Sequence, residues 1–192
     1  MDATKMNTTT MKRTKWFWPW QDEKEEGWLE EMSQSGWHLK SVQLPCVYTF
    51  NKGEPCRNAY RLDYMLMKKD QLTEYLQIFQ DAGWEYVGEM SNWRYWRKRV
   101  MNGETAEIFT DNESKIKKYQ RMLVIMVFFL IFLTFIGTNM FINRTWTEPD
   151  NILLIDVIYS LAMLCYVVII PIYVVVVVKL IWRIKQLKQN RL

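Results

Sequence analysis

The 192-residue chain has a net charge of +4 at pH 7 and a mean hydropathy of −0.20, an average that conceals two unlike parts. Residues 1–121 are polar, charged and rich in aromatic side chains, whereas the chain from residue 122 onward is overwhelmingly apolar. The basic residues cluster beside the apolar runs and form no stripe that would follow a nucleic-acid groove, so we expect no direct binding to nucleic acid.

The N-terminal segment, residues 1–13, is polar and has no apolar stretch of the kind found in a secretory signal peptide, so we expect it to be disordered. The first apolar run that is long enough to span a membrane begins only near residue 122. Residues 14–110 are therefore expected to form an aromatic-rich domain in the cytoplasm.

An internal repeat organises residues 14–110. Gly36-Trp37 recurs as Gly83-Trp84 after a shift of 47 residues, and the same shift relates Tyr48 to Tyr95. Each copy predicts an amphipathic helix that stops at the glycine, where a left-handed C-terminal cap favours a residue without a Cβ. After the glycine, aromatic and polar residues alternate at period two, which is typical of a half-buried strand.

A short strand is predicted before each helix, at Lys15–Trp18 in the first copy and at Tyr60–Leu66 in the second. The predicted fold class is α+β: duplicated βαββ units, with two helices on an antiparallel sheet, followed by a two-helix transmembrane hairpin. A ferredoxin-like arrangement with a different strand order is the alternative.

The first predicted helix is rich in acidic residues. Asp22, with Glu25 three residues later, fits a capping pair at the start of the helix. The glutamates are interpreted as a face exposed to solvent; they are Glu23, Glu25, Glu26, Glu30 and Glu31.

Two apolar runs predict membrane-spanning helices. Residues 111–121 are predicted to be a helical connector, because no Pro or Gly separates them from the uncharged run at 122–142. At a rise of ~1.5 Å per residue, this run spans roughly 30 Å, the thickness of the hydrocarbon core. The second run, 152–178, is interrupted only by Asp156 and Pro171, and its length favours a tilt or a kink at Pro171.

The flanking charges predict the orientation of these helices. Lysines and arginines precede the first run and fill the basic tail, residues 179–192, whereas the external loop, 143–151, carries Arg144 against two acids. By the positive-inside rule, the protein is a multi-pass protein of the cell membrane with both termini in the cytoplasm. Asp156 lies about one turn into the second helix, so a residue reached by interfacial water is favoured over an ion site.

Residues that often carry catalysis or bind metals are few. Cys46 and Cys56 would face each other across a hairpin, but a reducing cytosol favours two free thiols. His38 is interpreted as a surface or hydrogen-bonded histidine, and a site that combined it with these cysteines would lack a fourth metal ligand. With no phosphate-binding glycine loop either, we expect no catalysis, no cofactor and no metal.

The tryptophans are unusually numerous: the chain has ten, and eight of them lie before residue 97. One interpretation is that they fill a core and a second sheet face. The other is an exposed aromatic surface that binds a protein, an apolar ligand or lipid headgroups. The residues assigned to this interaction surface are Trp18, Trp20, Trp93 and Trp96.

These motifs together resemble a bacterial family catalogued as domain of unknown function 2812, over about residues 12–120. The residues that carry the resemblance are Trp28-Leu29-Glu30-Glu31-Met32, Gly36-Trp37-His38-Leu39, Tyr48-Thr49-Phe50-Asn51-Lys52-Gly53, Ala82-Gly83-Trp84-Glu85-Tyr86 and Trp93-Arg94-Tyr95-Trp96-Arg97-Lys98. The resemblance implies no established activity. It does imply a regulatory setting, since members of the family are often encoded beside small PadR-type transcription regulators.

The predicted function is a membrane-anchored regulatory or sensory module, whose cytoplasmic domain binds a protein partner or an apolar ligand without catalysis. A PadR-type transcription regulator is the expected kind of protein partner, and the lipid bilayer is the other contact. Residues 137–139, Gly-Thr-Asn, suit close packing of the two apolar helices or a homo-oligomer. The alternative function is a non-enzymatic accessory subunit of a membrane complex.

Overall fold

The structure, a computed structural model, describes residues 9–66, 69–100, 112–146 and 153–189. The chain divides into two compact units, Met1–Lys118 and Tyr119–Leu192. The first contains β1 (Thr10–Thr14), α1 (Asp22–Gln34), β2 (Trp37–Gln43), β3 (Val47–Lys52), β4 (Asn58–Tyr64), α2 (Lys69–Asp81), β5 (Glu85–Met90) and β6 (Trp93–Arg99). Two long helices follow, α3 (Asn112–Trp146) and α4 (Leu153–Gln189).

The α+β class and the duplicated βαββ units are confirmed. The strands form two three-stranded antiparallel sheets and not the one sheet we expected, with the same order in each copy, β1-β3-β2 and β4-β6-β5. Even an irregularity is repeated, because the register shifts between Leu39 and Ser41 in β2 and between Tyr86 and Gly88 in β5. The repeat in the sequence is therefore a repeat of complete supersecondary units.

The position of the first strand was predicted wrongly. β1 lies at Thr10–Thr14, partly within the segment assigned to a disordered N-terminus, and not at Lys15–Trp18. It pairs along its length with β3 at the edge of the first sheet, so it needs backbone partners more than apolar side chains. Its mostly polar, exposed side chains gave no alternating apolar signal. Residues 1–8 lie outside the described part of the chain.

Two apolar cores hold the first unit together. In the first core, Leu29 of α1 packs with Tyr48 of β3 and with Tyr60, Leu62 and Tyr95 of the second sheet. The second core lies on the other face of that sheet, where Tyr75 of α2 packs with Trp84 and Trp96. Successive residues of a strand point to opposite faces, so β6 sends Tyr95 into one core and Trp96 into the other.

Both predicted glycine caps are confirmed. Gly36 has φ +78° and Gly83 has φ +79°, the left-handed conformation that ends α1 and α2. The two sites differ in their surroundings. A Cβ on Gly36 would lie 2.7 Å from the carbonyl oxygen of Gly53, whereas a Cβ on Gly83 would meet only the Lys98 side chain, at 3.5 Å.

Parts of α3 and α4 are long and apolar enough to span a bilayer, over Lys115–Ile142 and Tyr159–Gln189. Only 11% and 6% of their most apolar windows are buried, unlike the core helix of a soluble protein, which is consistent with a membrane location. The Tyr166 hydroxyl of α4 donates a hydrogen bond to the Leu133 carbonyl of α3 at 2.6 Å, beside Gly137. Gly137 thus serves the helix contact predicted for it.

The neighbouring polar residues do not take part in that contact in the way we expected. The Thr138 hydroxyl and the Asn139 amide donate to carbonyls of their own helix, those of Thr134 and Phe135. In α4, Pro171 lies inside the helix, which continues through most of the predicted basic tail. The predicted external loop lies largely outside the described residues, as does the side chain of Asp156.

The two glycine caps provide a matched test of the fold. Replacing Gly83 with Ala should cost about 1–2 kcal/mol of unfolding free energy, the cost of a left-handed non-glycine residue. Gly36→Ala should cost clearly more, because the new methyl group would also meet the rigid Gly53 carbonyl. Thermal unfolding of the full-length variants in mild detergent measures both; equal losses would contradict the proposed steric term.

Candidate functional site

A small cavity opens on the first unit between the β1–α1 loop, the start of α1 and the strands of both sheets. Phe17, Trp18 and Pro19 of the loop form one wall, and Met90 and Trp93 from the β5–β6 turn form another. The remaining lining comes from α1, β6 and the end of β3 next to the β2–β3 turn: Asp22, Glu25, Cys46, Tyr48 and Tyr95. Its volume of about 60 Å³ is several times the roughly 10–15 Å³ that one ordered water needs.

The carboxylate of Glu25 lies at this cavity and is held by two phenols. The Tyr48 hydroxyl donates to Glu25 Oε1 at 2.7 Å, and the Tyr95 hydroxyl donates to the same oxygen at 2.6 Å. These tyrosines are equivalent positions of the repeat, one from each sheet. Glu25 is only 6% exposed, so the two hydrogen bonds offset part of the cost of burying a carboxylate.

Burial also controls the protonation of this group. Loss of solvation raises the pKa of Glu25 above its ordinary value, and the nearby Asp22 raises it further, while the bonds from Tyr95 and Tyr48 lower it. In turn, burial and the Glu25 charge raise the pKa of both tyrosines, which therefore remain protonated donors. The cavity thus contains a carboxyl group whose charge is sensitive to its surroundings.

A second buried acid, Asp22, joins the cavity to α3. Lys118, in the second turn of α3, has its Nζ 2.5 Å from Asp22 Oδ2 and also donates to the Leu62 carbonyl at 3.1 Å. Lys118 is 4% exposed and lies 5.8 Å from the centre of the Trp93 ring. Two residues that line the cavity, Asp22 and Trp93, therefore contact the same lysine.

The acids of α1 also bind the free edge of β4. Glu26 Oε1 accepts from the Leu62 amide at 2.8 Å, and Glu30 Oε1 accepts from the Tyr60 amide at 3.3 Å. The spacing of four residues on the helix places the two carboxylates on one face, and the amides they bind are two residues apart on β4. Arg61 reaches Glu30 at 2.7 Å and Glu26 at 3.8 Å.

The interpretation of the glutamates as a solvated face is therefore wrong for Glu25 and Glu26, which are buried, and Glu30 is half-buried. Only Glu23 and Glu31 of the set are exposed. The predicted capping pair is also wrong: Gln21 is the N-cap, without a side-chain cap, and Asp22 binds Lys118. The acids at 22, 26 and 30 share one helix face, but in the sequence such a face is equally typical of a surface exposed to solvent.

The predicted interaction surface is only partly supported by the packing. Trp18 is exposed and stacks on the half-buried Trp20, with ring centres 5.2 Å apart. Trp93 is half-buried and lines the cavity. Trp96 is wrongly assigned, because it is fully buried and stacks on Phe79 of α2 at 4.5 Å. Its strand lies beneath that helix, which the cation-rich sequence around it did not indicate.

The histidine and the first two cysteines lie in structural positions. His38 Nδ1 lies 3.1 Å from the Ser33 hydroxyl and Nε2 lies 2.9 Å from the Glu54 carbonyl, so His38 is the hydrogen-bonded residue we expected. Cys46 and Cys56 are free thiols. Among the described residues, no group of three His, Cys, Asp or Glu side chains could hold a metal ion.

Comparison with known proteins assigns the chain to a family. A family model described as Protein of unknown function (DUF2812) matches residues 21–131, which is more than half of the chain. The protein belongs to this family. The DUF2812 match begins at the N-cap of α1 and ends within the apolar part of α3, so it includes the acids of α1, Lys118 and the cavity lining from Asp22 onward, but not Phe17, Trp18 and Pro19. No curated protein and no solved structure matches the chain significantly.

The pH dependence of stability tests the buried acidic face. Burial, with Asp22 nearby, raises the pKa of Glu26 to about 8, from an ordinary value of 4.5, against the opposing charges of Lys118 and Arg61. The folded protein then binds more protons than the unfolded chain between these values. The contribution of Glu26 to the free energy of unfolding should therefore fall as pH rises from 4.5 to 8, by up to about 1.4 kcal/mol per pH unit.

Glu26→Gln keeps an acceptor for the Leu62 amide but cannot ionise, so its stability should change less over this pH range. Glu31→Gln, at an exposed position of the same helix, serves as the control. The measurement is the thermal midpoint of the full-length proteins at several pH values. Parallel profiles for wild type and Glu26→Gln would contradict the assignment.

Proposed function

We propose that the protein is a membrane-anchored regulatory or sensory module, whose domain binds a protein partner or an apolar ligand and catalyses no reaction. The observation that carries this proposal is that two residues of the cavity lining contact one residue of α3. Asp22 and Trp93 line the cavity and contact Lys118, and α3 continues from Lys118 into an apolar span. A ligand in the cavity would therefore change the contacts that hold Lys118, and with it the start of α3.

The packing of Lys118 supports this proposal. Lys118 is buried, its ammonium lies between the Asp22 carboxylate and the Leu62 carbonyl, and helical residues continue on both sides of it. A buried ion pair has one favourable geometry, and breaking it is costly, because each charge left alone is poorly solvated. Lys118 therefore holds the start of α3 against α1 and β4, and a change at Asp22 would alter the packing of this part of the helix.

The orientation of the protein in the membrane is part of the proposal. Basic residues precede the apolar part of α3 and fill the end of α4, and by the positive-inside rule this charge pattern supports a cytoplasmic location of the domain and both termini. A cytoplasmic domain in a bacterial cell would be accessible to a transcription regulator of the PadR type. The exposed Trp16 and Trp18, with the half-buried Trp20, offer an aromatic surface for such a partner.

The ion pair gives a first test. Lys118→Met removes the cation from the buried Asp22 and should cost about 3–5 kcal/mol, whereas adding Asp22→Asn should recover part of this loss. Lys117→Met, which removes an exposed pair with Glu113, should cost no more than about 0.5 kcal/mol. Amide hydrogen exchange in the first turns of α3 should be faster in Lys118→Met than in wild type, and unchanged in Lys117→Met. Unchanged exchange in Lys118→Met would contradict this role of the ion pair.

Partner capture gives a second test. The full chain is purified by affinity in mild detergent from its native membrane, and the proteins that accompany it are identified by mass spectrometry. We expect to recover a stoichiometric cytoplasmic regulator. The double variant Trp18→Ser, Trp20→Ser should still fold but should no longer capture this regulator. Trp182→Ser, an exposed tryptophan of α4, is the matched control. Recovery of a membrane transporter or envelope complex would instead favour the accessory-subunit function.

A further inference from the structure

The cavity has a chemical character that selects among small ligands. Aromatic rings line it, from Phe17, Trp18, Tyr48, Trp93 and Tyr95, and the charged side chains in its lining are two acids and no base among the described residues. Asp22 has Lys118 as its counter-ion, whereas the polar partners of the Glu25 carboxylate are the neutral Tyr48 and Tyr95 phenols. Both phenols donate to Oε1.

Such a lining suits a cation and disfavours an anion. Aromatic faces attract ammonium groups, most strongly where water is displaced, and quaternary ammonium ligands are commonly bound in cages of such rings. A carboxylate at the wall supplies the compensating charge. The volume of about 60 Å³ limits the enclosed part to a small head group, so a longer tail would remain outside.

Building on the proposed function, we infer that this cavity binds the ammonium head group of a small organic cation, with Glu25 as its counter-ion and the surrounding aromatic rings as its cage. The ligand is thus an amine or quaternary ammonium compound. Its source is either a free molecule or a lipid headgroup that carries the same group. The ligand would contact Trp93 and lie beside Asp22, the two residues that contact Lys118.

Cation binding is coupled to the protonation of Glu25. The groups that face Glu25 are Asp22 on its own helix, Cys46 and Tyr48 from the first sheet and its turn, and Tyr95 from the second sheet. Because burial raises the pKa of Glu25, a protonated carboxyl must release its proton to solvent when a cation binds. Affinity should therefore strengthen as pH rises through that pKa and then level off.

The decisive experiment is calorimetric titration of the full-length protein, in a detergent without an ammonium head group, with choline. Its neutral isostere, 3,3-dimethyl-1-butanol, has the same shape without the charge. We expect choline to bind at least about tenfold more tightly than the isostere. Equal affinities, or no binding of either compound, would overturn the inference, and this comparison requires no mutant.

Glu25→Gln keeps an acceptor for Tyr48 and Tyr95 and removes the charge. It should weaken choline binding about tenfold or more, leave binding of the isostere unchanged and remove the pH dependence. Glu31→Gln, an exposed acid of the same helix, should bind choline as wild type does. Wild-type choline affinity in Glu25→Gln would overturn the assignment of the counter-ion.

Nanodiscs separate the two sources of the cation. If a lipid headgroup occupies the cavity, choline should bind more weakly in phosphatidylcholine discs than in discs of digalactosyldiacylglycerol, a neutral lipid without an ammonium group. If the ligand is a free molecule, the two affinities should agree. Either result supports a cation site and identifies its source. Partner capture tests the proposed function independently, since a regulator could accompany a protein that binds no choline.

Discussion

Burial of the acidic face of α1 is the constraint on which the first unit depends. A carboxylate that leaves water without partners costs several kcal/mol, so each buried acid must find a donor at a fixed place. Glu25 finds one phenol from each sheet, Glu26 finds the amide of Leu62, and Asp22 finds Lys118. These donors lie on different elements. Hydrogen bonds to the acids of α1 therefore fix the relative positions of both repeats and of the start of α3.

This arrangement also protects an edge. β4 is an outer strand of the second sheet, and its unpaired amides would otherwise invite another chain to pair with them. Glu26 and Glu30 accept from two of these amides, and Lys118 donates to the Leu62 carbonyl. Side chains of α1 and α3 thus take the place of a neighbouring strand along this part of β4.

The two copies of the βαββ repeat share one fold but differ in the residues of their helices. Tyr48 and Tyr95 are equivalent and both donate to Glu25, but the position equivalent to Glu25 in α2 is Leu72, which packs against the second core. A helix that covers only its own sheet can use apolar contacts. The helix that lies between two sheets has polar groups to satisfy, and the cavity forms at that helix.

The sequence by itself determined the repeat, the glycine caps, the α+β class and the two apolar helices. These features follow from local patterns, namely apolar residues at a period of two or 3.6 and glycine at positions with a left-handed backbone. Tertiary structure alone decided which acids are buried, that Trp96 lies in the core, and that the first strand is a polar edge strand. These outcomes depend on what lies opposite each side chain. An acid facing Tyr95, 70 residues away, looks in the sequence like any solvated glutamate.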